Sequence, residues 1–406
     1  MKRSIIVSLC LLVLFSSQAL PADPVKIGFM FFMSGRGAVH GTVGRQGAEI
    51  AVAEVNASGG ILGREVVGVF KDEGTPDSAT KIVEDLVNTD KVSAIIGVIS
   101  SAVAPRVAAA AKGLQVPLLI TTAQTTVVTG PQCNRYTFRI TWNNDQALKT
   151  VALVAAELPA KTWTTIGPNY ALGWETWDLF QKYLKEIKPE MTFLPKSEVV
   201  FAPMDTVDWK AHIKTLEASK AEGVLVSLWG GNLVDFVREA GEAGFLDGKR
   251  TVLCAVASES ELVALGSQAP AGFWVVTPYW SKANPTQVND KFVVAYREKF
   301  GSPPSYQAQF AYAGVKAYAE AARKAGTINS DAVVKSLEGL TMELPVGQLT
   351  IRPEDHQALF QGVAGRVSSS FEFTKLRRPF RGLDSIKRFP AERIAVPVEE
   401  TGCRMQ

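Results

Sequence analysis

Between residues 25 and 256, short apolar and β-branched runs alternate with stretches in which apolar residues recur every three or four positions. The runs have the composition of buried strands, and the longer stretches have the period of helices lying on a sheet. Apolar runs at 25–32, 66–70, 92–98 and 116–120 are separated by helical stretches at about 41–57, about 77–88 and an alanine-rich segment reaching Lys112. Gly59-Gly60-Ile61-Leu62-Gly63 stops the first helix and turns the chain. Strands and helices alternating at this spacing predict a parallel, doubly wound α/β sheet.

The chain is organised around 92–126, which reads as strand, loop, helix, strand, loop and therefore as one βαβ unit with parallel neighbouring strands. Ser100 and Ser101 fall between the first strand and its helix, where free N–H groups and the positive dipole end attract an anion. The second strand ends in Thr121-Thr122-Ala123-Gln124-Thr125-Thr126, a small polar loop opening beside the first. The two loops together suit a carboxylate or another small polar group. Helix capping and an ordinary polar loop account for the same residues.

After Arg139-Ile140-Thr141 the segment Trp142-Asn143-Asn144-Asp145 reads as a crossover, and a second alternation follows. Helices at 146–157, 173–186, 206–219 and 232–241 interleave with strands at 163–166, 198–201, 223–228 and 251–256, a second copy of the same architecture. Another crossover is expected near 276–279. The last third carries amphipathic helices at 285–300 and 308–324, a short element at 331–337 and strands at 347–351 and 361–366. From Lys375 onward the chain is rich in Arg and Pro without periodicity, and is expected to run over the surface. The expected division is 1–22 as leader, 23–141 with 278–358 as the first lobe, 142–277 with 359–380 as the second, and 381–406 as a tail.

The leader is predicted from a basic start, Met1-Lys2-Arg3, an apolar run at 5–15 too short to span a bilayer, and small residues through Ala22. Cleavage is expected after Ala19 or Ala22, and Cys10 has no lipobox before it. An exported chain leaves Cys133, Cys254 and Cys403, of which Cys254 sits in an apolar run and reads as a buried thiol. A disulfide between Cys133 and Cys403, both in polar loop-like surroundings, is expected to pin the C-terminus. With 43 basic and 40 acidic residues the formal charge is +3, and there is no basic patch interleaved with aromatics, so neither nucleic acid nor an anionic membrane is an expected partner.

No catalytic constellation stands out. His40, His212 and His356 have no ligand-like spacing, so no metal is expected, and neither a nucleophile elbow nor a Walker loop is present. Gly35-Arg36-Gly37 with Gly41 misses the dinucleotide fingerprint, and no cofactor is expected. Ser100 or Ser101 as a nucleophile has no base nearby in sequence.

Val25-Lys26-Ile27-Gly28 leading to Met33-Ser34-Gly35, Gly47-Ala48-Glu49 through Glu54-Val55-Asn56, Gly59-Gly60-Ile61, and the Ile96-Gly97 strand end with its serines make an ordered set. Together with the leader, this set resembles the type I periplasmic solute-binding proteins of ABC importers, in the subfamily of the branched-chain amino acid receptors. The resemblance implies two Rossmann-like lobes with parallel doubly wound sheets, joined by a three-strand hinge and closing on a small molecule without reaction. It further implies a periplasmic monomer that delivers its ligand to an inner-membrane permease. A ligand sensor of the same fold and a secreted hydrolase are the alternatives.

By that resemblance Ser101 and Thr125 hold a ligand carboxylate, with Ser100 and Gln124 beside them, and Ala123 contributes a backbone contact. Trp229 and Tyr170 close from the second lobe, and His40 stands where the branched-chain receptors offer a Trp. Two further departures bear on the ligand. Ala255 falls where those receptors carry the acid that binds an ammonium, with Glu259 and Glu261 a little later, and Leu172 replaces a common aromatic. The ligand is therefore expected to be an amino acid, a hydrophobic or aromatic carboxylate, or an amide.

Overall fold

The structure, a computed structural model, describes residues 23–405. The expected leader, 1–22, lies outside the described residues. The first sheet contains β1 (Val25–Phe31), β2 (Val66–Asp72), β3 (Ala94–Gly97), β4 (Leu118–Ile120) and β5 (Thr137–Arg139), all parallel in the order β2-β1-β3-β4-β5. All residues of β3, β4 and β5 are buried, as expected of parallel strands covered on both faces.

Then follow β6 (Thr162–Pro168), β7 (Thr192–Phe193), β8 (Val200–Ala202), β9 (Gly223–Val226), β10 (Thr251–Cys254) and β11 (Trp274–Thr277). A small antiparallel sheet is built from β12 (Thr341–Leu344), β13 (Gly347–Ile351) and β14 (Ala358–Leu359), and the chain closes with β15 (Gly362–Phe373) and β16 (Pro379–Phe389). The second large sheet runs β16-β15-β11-β10-β9-β6-β7, with β8 also on β6. It is parallel from β6 to β11, and β15 and β16 join antiparallel at its edge.

Two large parallel sheets separated in sequence make two lobes, and the chain passes between them more than once. After β5 it enters the second lobe through helix Asn144–Ala155, whose Asn143 cap and Gln146 form a reciprocal capping box. After β11 it returns, and helix Tyr306–Ala325 packs along helix Ala38–Ala57 of the first lobe. A Cβ at Gly47 would lie 2.0 Å from the Ala308 carbonyl oxygen, so the two helices approach this closely only with glycine there.

The surface tail expected over 381–406 is corrected. Residues 379–389 are strand β16, paired with β15, and short helices follow at Ala391–Ile394 and Val398–Thr401. An edge strand with polar residues facing solvent hides its pattern: Phe380, Leu383 and Phe389 are buried, whereas Asp384 and Ser385 are exposed. The final segment returns to the first lobe. Arg352 donates to the Val396 carbonyl at 2.8 Å, and a disulfide joins Cys133 to Cys403, with Cα atoms 5.5 Å apart. Cys254 is buried and free.

Candidate ligand-binding site

The carboxyl ends of β3 and β4 and the helix ends facing them from the second lobe enclose a cavity. Its lining is Ile99, Ser101, Thr122, Gln124, His40 and Tyr306 from the first lobe, and Leu172, Trp229 and Val256 from the second. The space open to the centre of a water-sized molecule is about 20 Å³, so a larger ligand enters only when the lobes part or the wall moves. An outer cleft of about 730 Å³ continues past Trp229 and is lined by Phe32, Ser100, Tyr170 and Met204, among others.

The second-lobe wall starts at the N-terminus of helix Gly230–Glu242, which places Trp229 at its cap. Gly230 has φ +56°, and a Cβ there would lie 2.7 Å from the Arg36 carbonyl oxygen, so glycine allows the loop to seat against the first lobe. The Trp229 ring stacks on His40 at 5.3 Å between centroids and on Phe32 at 6.2 Å, and its Nε1 donates to the Tyr170 hydroxyl at 2.9 Å.

Several contacts cross from lobe to lobe. Arg36 pairs with Asp235 at 2.6 Å, and Gly231 N donates to the Arg36 carbonyl at 3.1 Å. Thr125 Oγ1 donates to Glu175 Oε1 at 2.6 Å. His40 Nε2 bonds Glu261 Oε1, both side chains being almost wholly buried. These contacts hold the lobes closed.

Of the residues expected at the site, His40, Ser101, Gln124 and Trp229 meet around the cavity, while Ser100 and Tyr170 line the outer cleft. Ala123 and Thr125 do not line it. The Thr125 hydroxyl turns to Glu175, and the carbonyls of Ala123 and Thr125 both accept from the Arg139 guanidinium, at 2.6 Å in the second case. Ser101 Oγ faces the second loop and accepts from the Gln124 and Thr125 amides, each at 3.2 Å. The amides expected to attract an anion beside Ser100 already have an acceptor: Glu73 accepts from Ile99 N at 2.6 Å and Ser100 N at 2.7 Å. Burial pushes the Glu73 carboxyl up to about 8, against those two hydrogen bonds.

Neither acid considered as a replacement ammonium ligand lines the cavity. Glu261 accepts from His40, from Gly230 N at 3.0 Å, and from Ser258 Oγ and N at 2.5 and 3.1 Å. Burial would raise its carboxyl, but His40 and these donors outweigh that and hold it below the usual carboxylate range. Glu259 turns to Ser281 N, at 2.6 Å, with its second oxygen unpartnered.

Burial pushes Glu259 up to about 8, so the folded state holds its proton between about 4.5 and 8 where the unfolded chain has lost it. Stability from this group therefore falls as pH rises through that window. Glu259→Gln, which mimics the protonated form, is expected to raise the melting temperature at pH 9 and leave it nearly unchanged at pH 4.5. An equal effect at both pH values would refute the assignment.

Sequence reasoning missed Ile99, Val256 and Tyr306, which lie within a residue or two of strand ends or at a helix start, and placed Thr122 in the polar loop without giving it a role of its own. Arg139 was given no role beyond preceding the crossover at 142–145. Its signal was an arginine inside an apolar run, at 0% exposure in the structure.

Two α/β lobes closed over a cavity that both of them line define a two-lobed solute-binding protein. Residues 24–371 match the periplasmic binding protein family, and the chain belongs to that family. It has the type I fold of ABC solute-binding proteins. Leu/Ile/Val-binding protein homolog 4 of Brucella melitensis is 25% identical over 399 residues, covering 95% of this chain and 93% of the relative. The leucine-, isoleucine-, valine-, threonine- and alanine-binding protein of Pseudomonas aeruginosa is 25% identical over 340 residues, 82% and 87% of the two chains. Among solved structures, a solute-binding protein of an ABC transporter from Rhodopseudomonas palustris, in complex with 3,4-dihydroxybenzoic acid, superposes with a TM-score of 0.79 at 21% identity, covering 91% and 98%.

Proposed function

We propose that this chain is the periplasmic substrate-binding component of an ABC importer of the branched-chain amino acid type, binding a small organic carboxylate between its lobes. The observation that carries this reading is the cavity itself, in which hydroxyl and amide side chains of the first lobe, Ser101, Thr122 and Gln124, face the apolar and aromatic wall of Leu172, Trp229 and Val256. A molecule with one polar end and an apolar body matches both walls. The Gln124 side-chain oxygen is buried without a protein partner, so a ligand hydroxyl or amide gains by meeting it.

Closure follows from binding. A ligand that touches both lobes stabilises the closed state by its differential affinity, and the permease reads the two apposed lobe rims. No reaction enters this cycle. The relatives named for branched-chain amino acids and the neighbour holding an aromatic acid bracket the ligand class between them.

Titration of the mature protein with benzoate, 4-hydroxybenzoate, 3-phenylpropanoate and leucine, followed by calorimetry and tryptophan fluorescence, tests the proposal. Saturable binding of one ligand per chain, with the ligand recovered unchanged, is expected. Trp229→Ala should weaken it at least tenfold, about 1.4 kcal/mol, because the ring caps the cavity. Turnover of the ligand would favour the secreted hydrolase, and saturable binding indifferent to Trp229 would move the site elsewhere.

A further inference from the structure

We propose that His40 determines the charge type of the ligand: by pairing with Glu261 across the closed lobes it uses up the acid behind the cavity wall, so the site accepts carboxylates that lack an ammonium group. This rests on the receptor reading above. His40 lines the cavity, and Glu261 lies behind it on helix Glu259–Leu265 of the other lobe. A carboxylate offers about four lone-pair sites. Glu261 Oε1 receives His40 Nε2 and the Gly230 amide, and Oε2 receives the Ser258 amide and the Ser258 and Ser260 hydroxyls. Neither oxygen has an acceptor left for a ligand, and on Oε1 the place that could be freed is the one His40 fills.

The other buried acids around the inner cavity turn to protein donors. Glu73 holds the Ile99 and Ser100 amides, Glu175 holds the Thr125 hydroxyl, the Thr126 amide and the Asn144 amide group, and Glu259 holds Ser281 N with one oxygen while its second is unpartnered. Asp72 and Asp205 line the outer cleft instead. None of them lines the cavity. A ligand ammonium would be buried without an anionic partner, and an unpaired buried cation is strongly disfavoured. Deleting the imidazole uncovers Glu261 Oε1 toward the cavity and leaves a buried anion unpaired, which an incoming ammonium relieves.

The test compares 3-phenylpropanoate with phenylalanine, and 4-methylpentanoate with leucine, pairs that differ only in the ammonium-bearing carbon's substituent. In calorimetry on the intact mature protein, each ammonium-free acid should bind at least thirtyfold more tightly than its amino acid. His40→Ala should shrink that ratio at least tenfold, and adding Glu261→Gln should restore it. The ratio is insensitive to a general loss of affinity, and His40→Leu, which fills the space without a donor for Glu261, serves if His40→Ala does not fold. An amino acid binding as tightly as its ammonium-free partner in the unmodified protein would overturn the role of His40 and leave the receptor reading standing. Failure of both pairs and of benzoate to saturate would overturn the receptor reading, and this inference with it.

Discussion

Replacing Cys403 with serine is expected to lower the unfolding free energy by about 3–5 kcal/mol, the range for a crosslink that closes a very long loop. The bond spans 270 residues of sequence, so it removes much chain entropy from the unfolded state. Its position adds a second effect. The C-terminal segment leaves the second lobe as β16, passes Lys149, whose Nζ donates to the Ala395 carbonyl at 3.0 Å, and reaches Arg352 and Cys133 beside the first sheet. The disulfide thus fixes one more connection between the lobes. Calorimetric unfolding of Cys403→Ser against the unmodified protein measures the loss, and small-angle scattering measures how far the ligand-free lobes part. A variant as stable as its parent would mean that Arg352 and Lys149 alone hold the segment.

The alternation of strands and helices was legible because each parallel strand is buried on both faces and so reads as an unbroken apolar run, as in 94–97 and 118–120. What failed was the edge. In β16, four of eleven residues are basic or acidic, namely Arg381, Asp384, Lys387 and Arg388, because only part of the strand faces the core. A bulge-interrupted register with β15 further breaks the two-residue period that would have marked it.

At the site, the residues after strand ends were legible as positions, whereas the partners that turn Thr125 and occupy the Ser100 amide were not. Ser101 and Gln124 are at the cavity because loops after parallel strands converge there. Which way a side chain turns depends on partners distant in sequence. Thr125 is drawn to Glu175, fifty residues on, and the Ser100 amide to Glu73, twenty-seven residues back. The pairing of His40 with Glu261 joins residues 221 apart from opposite lobes, and no local pattern encodes it.

Arg139→Met is expected to abolish detectable ligand binding and to destabilise the first lobe by about 2–4 kcal/mol. Arg139 ends β5 beneath the second site loop, fully buried, and its guanidinium holds the carbonyls of Ala123 and Thr125 on either side of Gln124. Burial pulls it down to about 9, with Glu175, Asp145 and Asp355 opposing that, so it stays a cation at neutral pH. Removing it leaves two buried carbonyls without their donor, and the loop that carries Gln124 and receives Ser101 loses the anchor that sets its path. Arg139→Lys keeps the charge but offers one point donor where two diverging carbonyls need a fork, so it should recover stability more than affinity. Thermal melts and calorimetric titration of both variants separate the two effects. If Arg139→Met bound ligand as tightly as the parent, the loop would be held by Ser101 and Glu175 without the arginine.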